Sequence, residues 1–236
     1  MLEITDLRVS YGPVEALRGV SLVARSGMTT AILGANGAGK SSLLRAISGL
    51  APIRGGRVLL DGMDITTVAA HRRARLGLAH AMEGRRLFRQ LAVEDNLRLS
   101  WSFGRRVIPL PQALQTVYEQ FPPLAEKRRT PAGLLSGGQQ QMMVLSCATI
   151  RSPQYLLLDE PSLGLAPVVI TQIYNYIMGY ARRSGTAIII AEQMAALALK
   201  VSDHAYVLRR GRIGLQGESR ELLSGTAGDT LSSAYL

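Results

Sequence analysis

Cysteine is almost missing from this 236-residue chain, with Cys147 standing alone. A single thiol excludes an intramolecular disulfide, which agrees with a reducing compartment. Histidine is scarce and scattered, at His71, His80 and His204. With one cysteine and three dispersed histidines, a structural zinc site has no ligand set to draw on. Long apolar runs are absent too. "YLLLDEP" and "TAIIIAE" are both cut short by acids, far below the ~18 residues that cross a bilayer. The opening "MLEITDLRVS" has no basic stretch followed by an apolar one, so no secretory signal is expected and the chain is expected to stay in the cytoplasm. Apolar residues make up 47% of the chain and charged ones 19%, which argues against disorder.

Charge of one sign dominates. There are 27 basic residues against 17 acidic, a formal net charge of +10. Such a surplus attracts nucleic acid, anionic lipid or a polyphosphate. The basic residues fall in small groups, such as Arg72, Arg73 and Arg75 or Lys127, Arg128 and Arg129, with no single block. Dispersed charge of this kind suits a solvated surface, and no nucleic-acid partner is expected.

The apolar pattern alternates strand and helix. Residues 2–9 and 19–25 read as strands joined by a turn at Gly12-Pro13, and Met28–Leu33 reads as a buried strand followed by a helix to Leu50. Further strands are expected at Arg57–Leu60, Tyr155–Leu158, Thr186–Ala191 and His204–Arg209. Helices are expected from about Val68, from Pro167 to Arg183, and over the Gln193 region. This order implies a mostly parallel sheet covered on both faces. Residues 90–150 are mainly helical in pattern and rich in proline, so they are expected to form a lobe inserted between 1–89 and 151–236 of one 1–236 domain.

Three motifs carry chemistry. "GANGAGKSS" comprises Gly34, Ala35, Asn36, Gly37, Ala38, Gly39, Lys40, Ser41 and Ser42. It matches the phosphate-cradling G-x-x-x-x-G-K-[ST] pattern between an expected strand and an expected helix. In that pattern backbone N–H groups surround phosphate oxygens, Lys40 reaches the β- and γ-phosphates, and the Ser41 hydroxyl ligates Mg²⁺. "YLLLDEP" delivers Asp159 and Glu160 to the carboxyl end of a buried strand. Asp159 is placed to hold Mg²⁺ through water, and Glu160 to polarise an attacking water. "LSGGQQQ", Leu135–Gln141, makes a second anion-receiving helix start from a serine and two glycines.

With that third motif the chain resembles the ATP-binding cassette ATPases, whose signature is LSGGQ, and the likeness extends over essentially the whole sequence. It implies a P-loop NTPase core with a mostly parallel sheet, an N-terminal antiparallel β subdomain and an inserted α-helical subdomain. It also implies that two subunits sandwich two ATP molecules. Ser136, Gly137, Gly138 and Gln139 would then contact ATP held mainly by the partner. Tyr11 sits where the family places an aromatic on adenine, although an ordinary core aromatic also fits. "SLGLAP", Ser162–Pro167, occupies the segment where the subunits meet. "EGRRLF", "YLLLDEPSLGLAP", "AEQMAALALKVSD" and the terminal "SAYL" resemble one branch: the second ATPase subunit of high-affinity branched-chain amino acid importers, the LivF type. That likeness implies a second ATPase subunit (or a homodimer in isolation), transmembrane permease subunits, and an extracytoplasmic binding protein. The chain would sit peripherally on the cytoplasmic face of the inner membrane. Related urea or amide importers share the pattern. A soluble cassette protein or an export energiser is a more distant alternative.

Several positions depart from the wider family. Glu83 stands ten residues before Val93, where most members have a glutamine reaching Mg²⁺ and the attacking water. Gln193, ten residues before Asp203, replaces the histidine that contacts the γ-phosphate. Glu192 is its neighbour. Ala166 replaces the usual aspartate of the crossing segment. Both Glu83 and Gln193 suit the LivF branch. A carboxylate near nucleotide charge is unfavourable without Mg²⁺ between, and glutamine cannot carry a positive charge. This chain's own phosphate site is therefore expected to hydrolyse ATP more slowly than the partner's composite site. Cys147, in the signature helix, reads as a filler. His80-Ala81-Met82 replaces an apolar pair and proline. Arg85, Arg86, Leu87 and Phe88 are expected to line the groove that receives a membrane-subunit helix, or else to form a solvated loop.

Overall fold

A computed structural model describes residues 1–224. The first two strands, β1 (Leu2–Tyr11) and β2 (Val14–Ala24), form a long hairpin turning at Gly12-Pro13. Next come β3 (Thr29–Leu33), α1 (Lys40–Ile47), β4 (Ile53–Leu60), β5 (Met63–Asp64), α2 (Ala70–Arg75) and β6 (Leu78–Ala81). The helical stretch holds α3 (Val93–Ser102), α4 (Leu110–Gln120), α5 (Pro122–Glu126), a single 3-10 turn at Ala132–Leu134, and α6 (Gly137–Thr149). The chain then runs through β7 (Tyr155–Asp159), α7 (Pro167–Ser184), β8 (Ala187–Glu192), α8 (Ala195–Val201), β9 (His204–Arg209), β10 (Arg212–Glu218) and α9 (Ser219–Ser224).

Two sheets result. One is antiparallel, in the order β2-β1-β4-β5; the other runs β10-β9-β3-β8-β7-β6. Its pairings are parallel except for β10 against β9. The central strands are apolar throughout because both faces are covered: β3, β7 and β8 are buried at every residue. On one face Leu157 and Ile189 pack with Leu43, Leu44 and Ile47 of α1 and with Leu7, Leu17 and Val20 of the antiparallel sheet. On the other, Leu156, Leu158, Ile188 and Ile190 meet Ile173, Tyr174 and Ile177 of α7. Each such fully buried aliphatic contributes about 1.5–3 kcal/mol. A separate cluster, with Leu97, Leu114, Phe121, Met142 and Met143, holds α3 to α6 together. The signature helix α6 joins the two, since its Val144, Leu145 and Ala148 pack with the strands instead.

Two features fix α1, which carries the phosphate loop. At its start, Gly211 N–H donates to Ala38 O (2.9 Å) and Arg18 N–H to Gly211 O (2.8 Å), tying the loop to the β9–β10 turn and to β2. At its end, the buried Arg73 guanidinium donates to Ala46 O and Ile47 O at 2.8 Å each, and to Val68 O (2.7 Å) and Thr66 O (2.8 Å). A cation on the last carbonyls of a helix satisfies them and complements the helix dipole.

Several details differ from the sequence expectations. Helix α1 stops at Ile47 and not Leu50, because Ser48 and Gly49 turn the chain, Gly49 with a φ of 77°. Gln193 lies in a bend before α8 and outside the helix. The sequence pattern does not mark β5, β10 or α9, and β2 and β4 begin at Val14 and Ile53, ahead of the expected 19 and 57. The terminal "SAYL" lies outside the described residues.

Candidate nucleotide-binding and hydrolysis site

The carboxyl ends of β3, β7 and β8 lie side by side, with Leu33 paired to Glu192 and Asp159 to Ala191. In a parallel sheet this edge is where ligands bind. The chain leaves β3 through the glycine-rich loop and enters α1 from Gly39, whose φ is 111°. A Cβ at Gly39 would lie 2.7 Å from Ala16 O, so both conformation and space require glycine. No acidic residue occupies the first turn of α1, leaving its N-terminal dipole free for an anion. Lys40 is 4% exposed. It donates to Gly34 O (2.8 Å) and Ala35 O (3.3 Å), and its Nζ lies 3.2 Å from Glu160 Oε1. The lysine thus lies folded over the loop between the two halves of the site.

Ser41 Oγ donates to Asp159 Oδ1 at 3.0 Å, across 118 positions of chain. Burial pushes the Asp159 carboxyl above its usual range; the Ser41 bond opposes this, and nearby Glu83 and Glu160 add to it. A buried carboxylate hydrogen-bonded to a hydroxyl offers the hard oxygen donors that Mg²⁺ takes, although among the described residues no three acidic, histidine or cysteine side chains gather into a full ligand set. Glu83 is exposed in the loop after β6. Glu160 adopts a left-handed backbone, φ 48°, with its N–H donating to Ala191 O (2.9 Å). Gln193 is exposed one residue past the end of β8.

At the signature, Ser136 caps α6 in a reciprocal capping box. Gln139 N–H donates to Ser136 Oγ (3.3 Å), and Ser136 N–H to Gln139 Oε1 (3.1 Å). Gly137 and Gly138 then supply the donors that a helix start leaves without an internal acceptor. Gln139 is further engaged by Lys127 Nζ at 3.2 Å. Tyr11 is 40% exposed, opposite Val14 at 63%, at the tip of the β1–β2 hairpin. That exposed apolar tip suits a ring stacked from solvent.

Arg85 has its polar contacts with the crossing segment. Its guanidinium donates to Leu163 O and Gly164 O at 3.3 Å each, and a Cβ at Gly137 would lie 2.7 Å from its Nη1. It therefore stands between the signature and the crossing segment, where it donates to two carbonyls of a tight turn. Arg86 does line a cleft of about 160 Å³, with Met82, Ser100, Cys147 and Arg151. Leu87 is half-buried between the core and the helical lobe, and Phe88 is 63% exposed. A larger cavity of about 560 Å³, near Tyr155, Tyr176, Tyr180 and Arg183, opens at the other end of β7 and β8.

The ABC transporter family matches residues 17–163. Over 95% of both chains the sequence is 39% identical to the "High-affinity branched-chain amino acid transport ATP-binding protein BraG" of Pseudomonas aeruginosa. The chain belongs to the ABC transporter family. A probable LivF of Archaeoglobus fulgidus is 34% identical over 94% of each chain. Among solved structures, a nucleotide-free ATP-binding cassette from an ABC transporter superposes with a TM-score of 0.85 at 25% identity, over 100% of this chain and 98% of that one. As an ABC ATPase, the chain has the α/β core, antiparallel subdomain and P-loop that its motifs imply. Among the described residues no helix is long and apolar enough to cross a membrane.

Two residues of this ABC ATPase escaped the sequence reading. In the sequence Tyr174 reads only as part of a helix, and Glu192 only as a neighbour of Gln193. Glu192 is 2% exposed. Its position at the end of a wholly apolar strand was the one available signal, since a buried carboxylate requires partners.

Proposed function

We propose that this chain powers import of branched-chain amino acids by hydrolysing ATP across a dimer with a second ATPase subunit. The observation that carries the site is the Ser41–Asp159 bond at 3.0 Å beside the Lys40–Glu160 pair at 3.2 Å. The 39% identity to BraG over 95% of both chains supports the substrate class.

In this reading the N–H groups of Gly34, Ala35, Asn36, Gly37, Ala38, Gly39, Lys40, Ser41 and Ser42 enclose the phosphates. Lys40 exchanges its present partners, Glu160 among them, for the β- and γ-phosphates. Ser41 and Asp159 would hold Mg²⁺, with Glu83 reaching it from the β6 loop. When bound, that ion neutralises charge on the β- and γ-phosphates. Glu160 accepts a hydrogen bond from the attacking water and so raises its nucleophilicity. Gln193 donates one neutral hydrogen bond to the γ-phosphate. Tyr11 stacks on adenine. Ser136, Gly137, Gly138 and Gln139 complete the partner's site, and the partner's signature completes this one. The helical lobe passes the closure to transmembrane subunits through the cleft by Arg86, Leu87 and Phe88. An extracytoplasmic binding protein delivers the substrate, and the chain lies peripherally on the cytoplasmic face.

The test is ATPase activity of the complex co-purified with its membrane subunits and binding protein, in lipid vesicles. Leucine, isoleucine or valine should stimulate turnover. Stimulation by urea or an aliphatic amide alone would move the substrate class. No stimulation by any of them would overturn the import reading.

A further inference from the structure

Strand β8 ends in a carboxylate that no part of the reaction described so far uses. Glu192 Oε1 accepts from Tyr174 Oη at 2.6 Å and from Ser162 N–H at 3.1 Å, while Oε2 accepts from Gln193 N–H at 3.2 Å. Two of these three donors are backbone N–H groups, which cannot accept, so both oxygens must act as acceptors. A side chain so buried would be costly without such partners. Each partner belongs to a different working segment. Ser162 opens the crossing segment, Gln193 is the residue facing the γ-phosphate, and Tyr174 is rooted in α7.

The same strand end also restrains the catalytic carboxylate. Glu160 holds a left-handed φ of 48°, which is strained for a residue with a side chain and persists only where surroundings over-determine it. Those surroundings are Ala191 O, accepting from Glu160 N–H, and Glu192, accepting from Ser162 two residues on. Leu163 N–H closes the turn onto Glu160 O at 3.2 Å. The turn that aims Glu160 is thus clamped from residues 191 and 192.

We propose that Glu192 is a positioning residue: its two oxygens couple the residue facing the γ-phosphate to the turn that aims Glu160 and opens the crossing segment. The inference rests on the hydrolytic reading above. Its logic is divided by oxygen. Oε1 anchors the turn and α7, and Oε2 carries the link to Gln193. Glu192→Gln separates them. With the amide oxygen at the Oε1 place, both anchoring bonds survive, and an NH₂ confronts Gln193 N–H. Tyr174→Phe does the reverse: it removes one anchoring donor and leaves the Gln193 link whole.

The experiment compares both variants with wild type in the complex assembled with its membrane partners. ATP turnover, KM for ATP and the unfolding midpoint of the full chain are measured. Glu192→Gln should lower kcat by ~10-fold or more with KM within about 2-fold, since small misplacement of a catalytic group has effects of this size. Tyr174→Phe should lower the midpoint at least as much, yet hold kcat within about 3-fold. Retention of kcat in Glu192→Gln would overturn the proposal. So would losses of kcat that follow the midpoint in both variants, because a merely structural carboxylate predicts that proportion. An inactive wild-type complex would instead contradict the hydrolytic reading itself.

Discussion

His80 gives the clearest case of chemistry decided by a single side chain. It stands on the edge strand β6, with Nδ1 3.0 Å from Ser48 Oγ and a buried Nε2 that lacks a protein partner. Burial first, and then the Arg45 charge, push its pKa from 6.5 down to about 4. The folded chain therefore holds His80 neutral where the unfolded chain takes up a proton. Stability from this difference is complete above about pH 6.5 and is lost as pH falls toward about 4. Urea unfolding at pH 7 and pH 5 should show the wild type losing about 2 kcal/mol more than His80→Gln. Equal losses would mean that the ring does not titrate on unfolding. The His80-Ala81-Met82 departure thus has a physical meaning that the sequence alone withheld, since a histidine's shift depends on what covers it.

At the scale of elements, α1 is held at both ends by other parts of the chain. Arg73 shows how: one guanidinium serves four carbonyls, two of them at the end of α1. Arg73→Met should cost about 3 kcal/mol by stranding these acceptors. That lowers the thermal midpoint by roughly 6–12 °C in a chain of this size. Arg73→Lys should recover little, since an ammonium is a point donor that cannot span the same four oxygens. A midpoint within about 2 °C of wild type for either variant would contradict the clamp. Elements such as β3, β7 and β8 were legible because an unbroken apolar run marks a strand covered on both faces. Strand β10 was not. Its residues "RIGLQGE" alternate between exposed and half-buried, with two glycines and no buried position, so little in the pattern separates it from a loop. The site divides the same way. Lys40, Ser41 and Asp159 lie at strand ends and loop positions specified locally, and the fold brings them together. The contacts of Arg85 with Leu163 and of Glu192 with Ser162 span 78 and 30 positions, and no local signal encodes them.

For the whole molecule, the two ATP sites of the proposed heterodimer need not be equal. In the proposed reading a neutral Gln193 and an acidic Glu83 serve the phosphates bound to this chain, at positions where the wider family is expected to have histidine and glutamine. Glu160→Gln here and the equivalent change in the second ATPase subunit should therefore have unequal effects. The change in this chain is expected to spare at least half of the turnover, and the change in the partner to remove most of it. Equal losses in ATPase of the assembled complex would rule out the asymmetry.

The Lys40–Glu160 pair has one more consequence at this scale. The chain carries a net charge of +10, yet little of that charge is on offer where a phosphate would land. An ammonium has three donors, and here they meet Gly34 O, Ala35 O and Glu160 Oε1. A nucleotide entering the loop therefore makes an exchange, not a simple addition: the lysine must let go of something to receive it. In the proposed reading it lets go of Glu160, so the event that loads the fuel also frees the carboxylate proposed to polarise water.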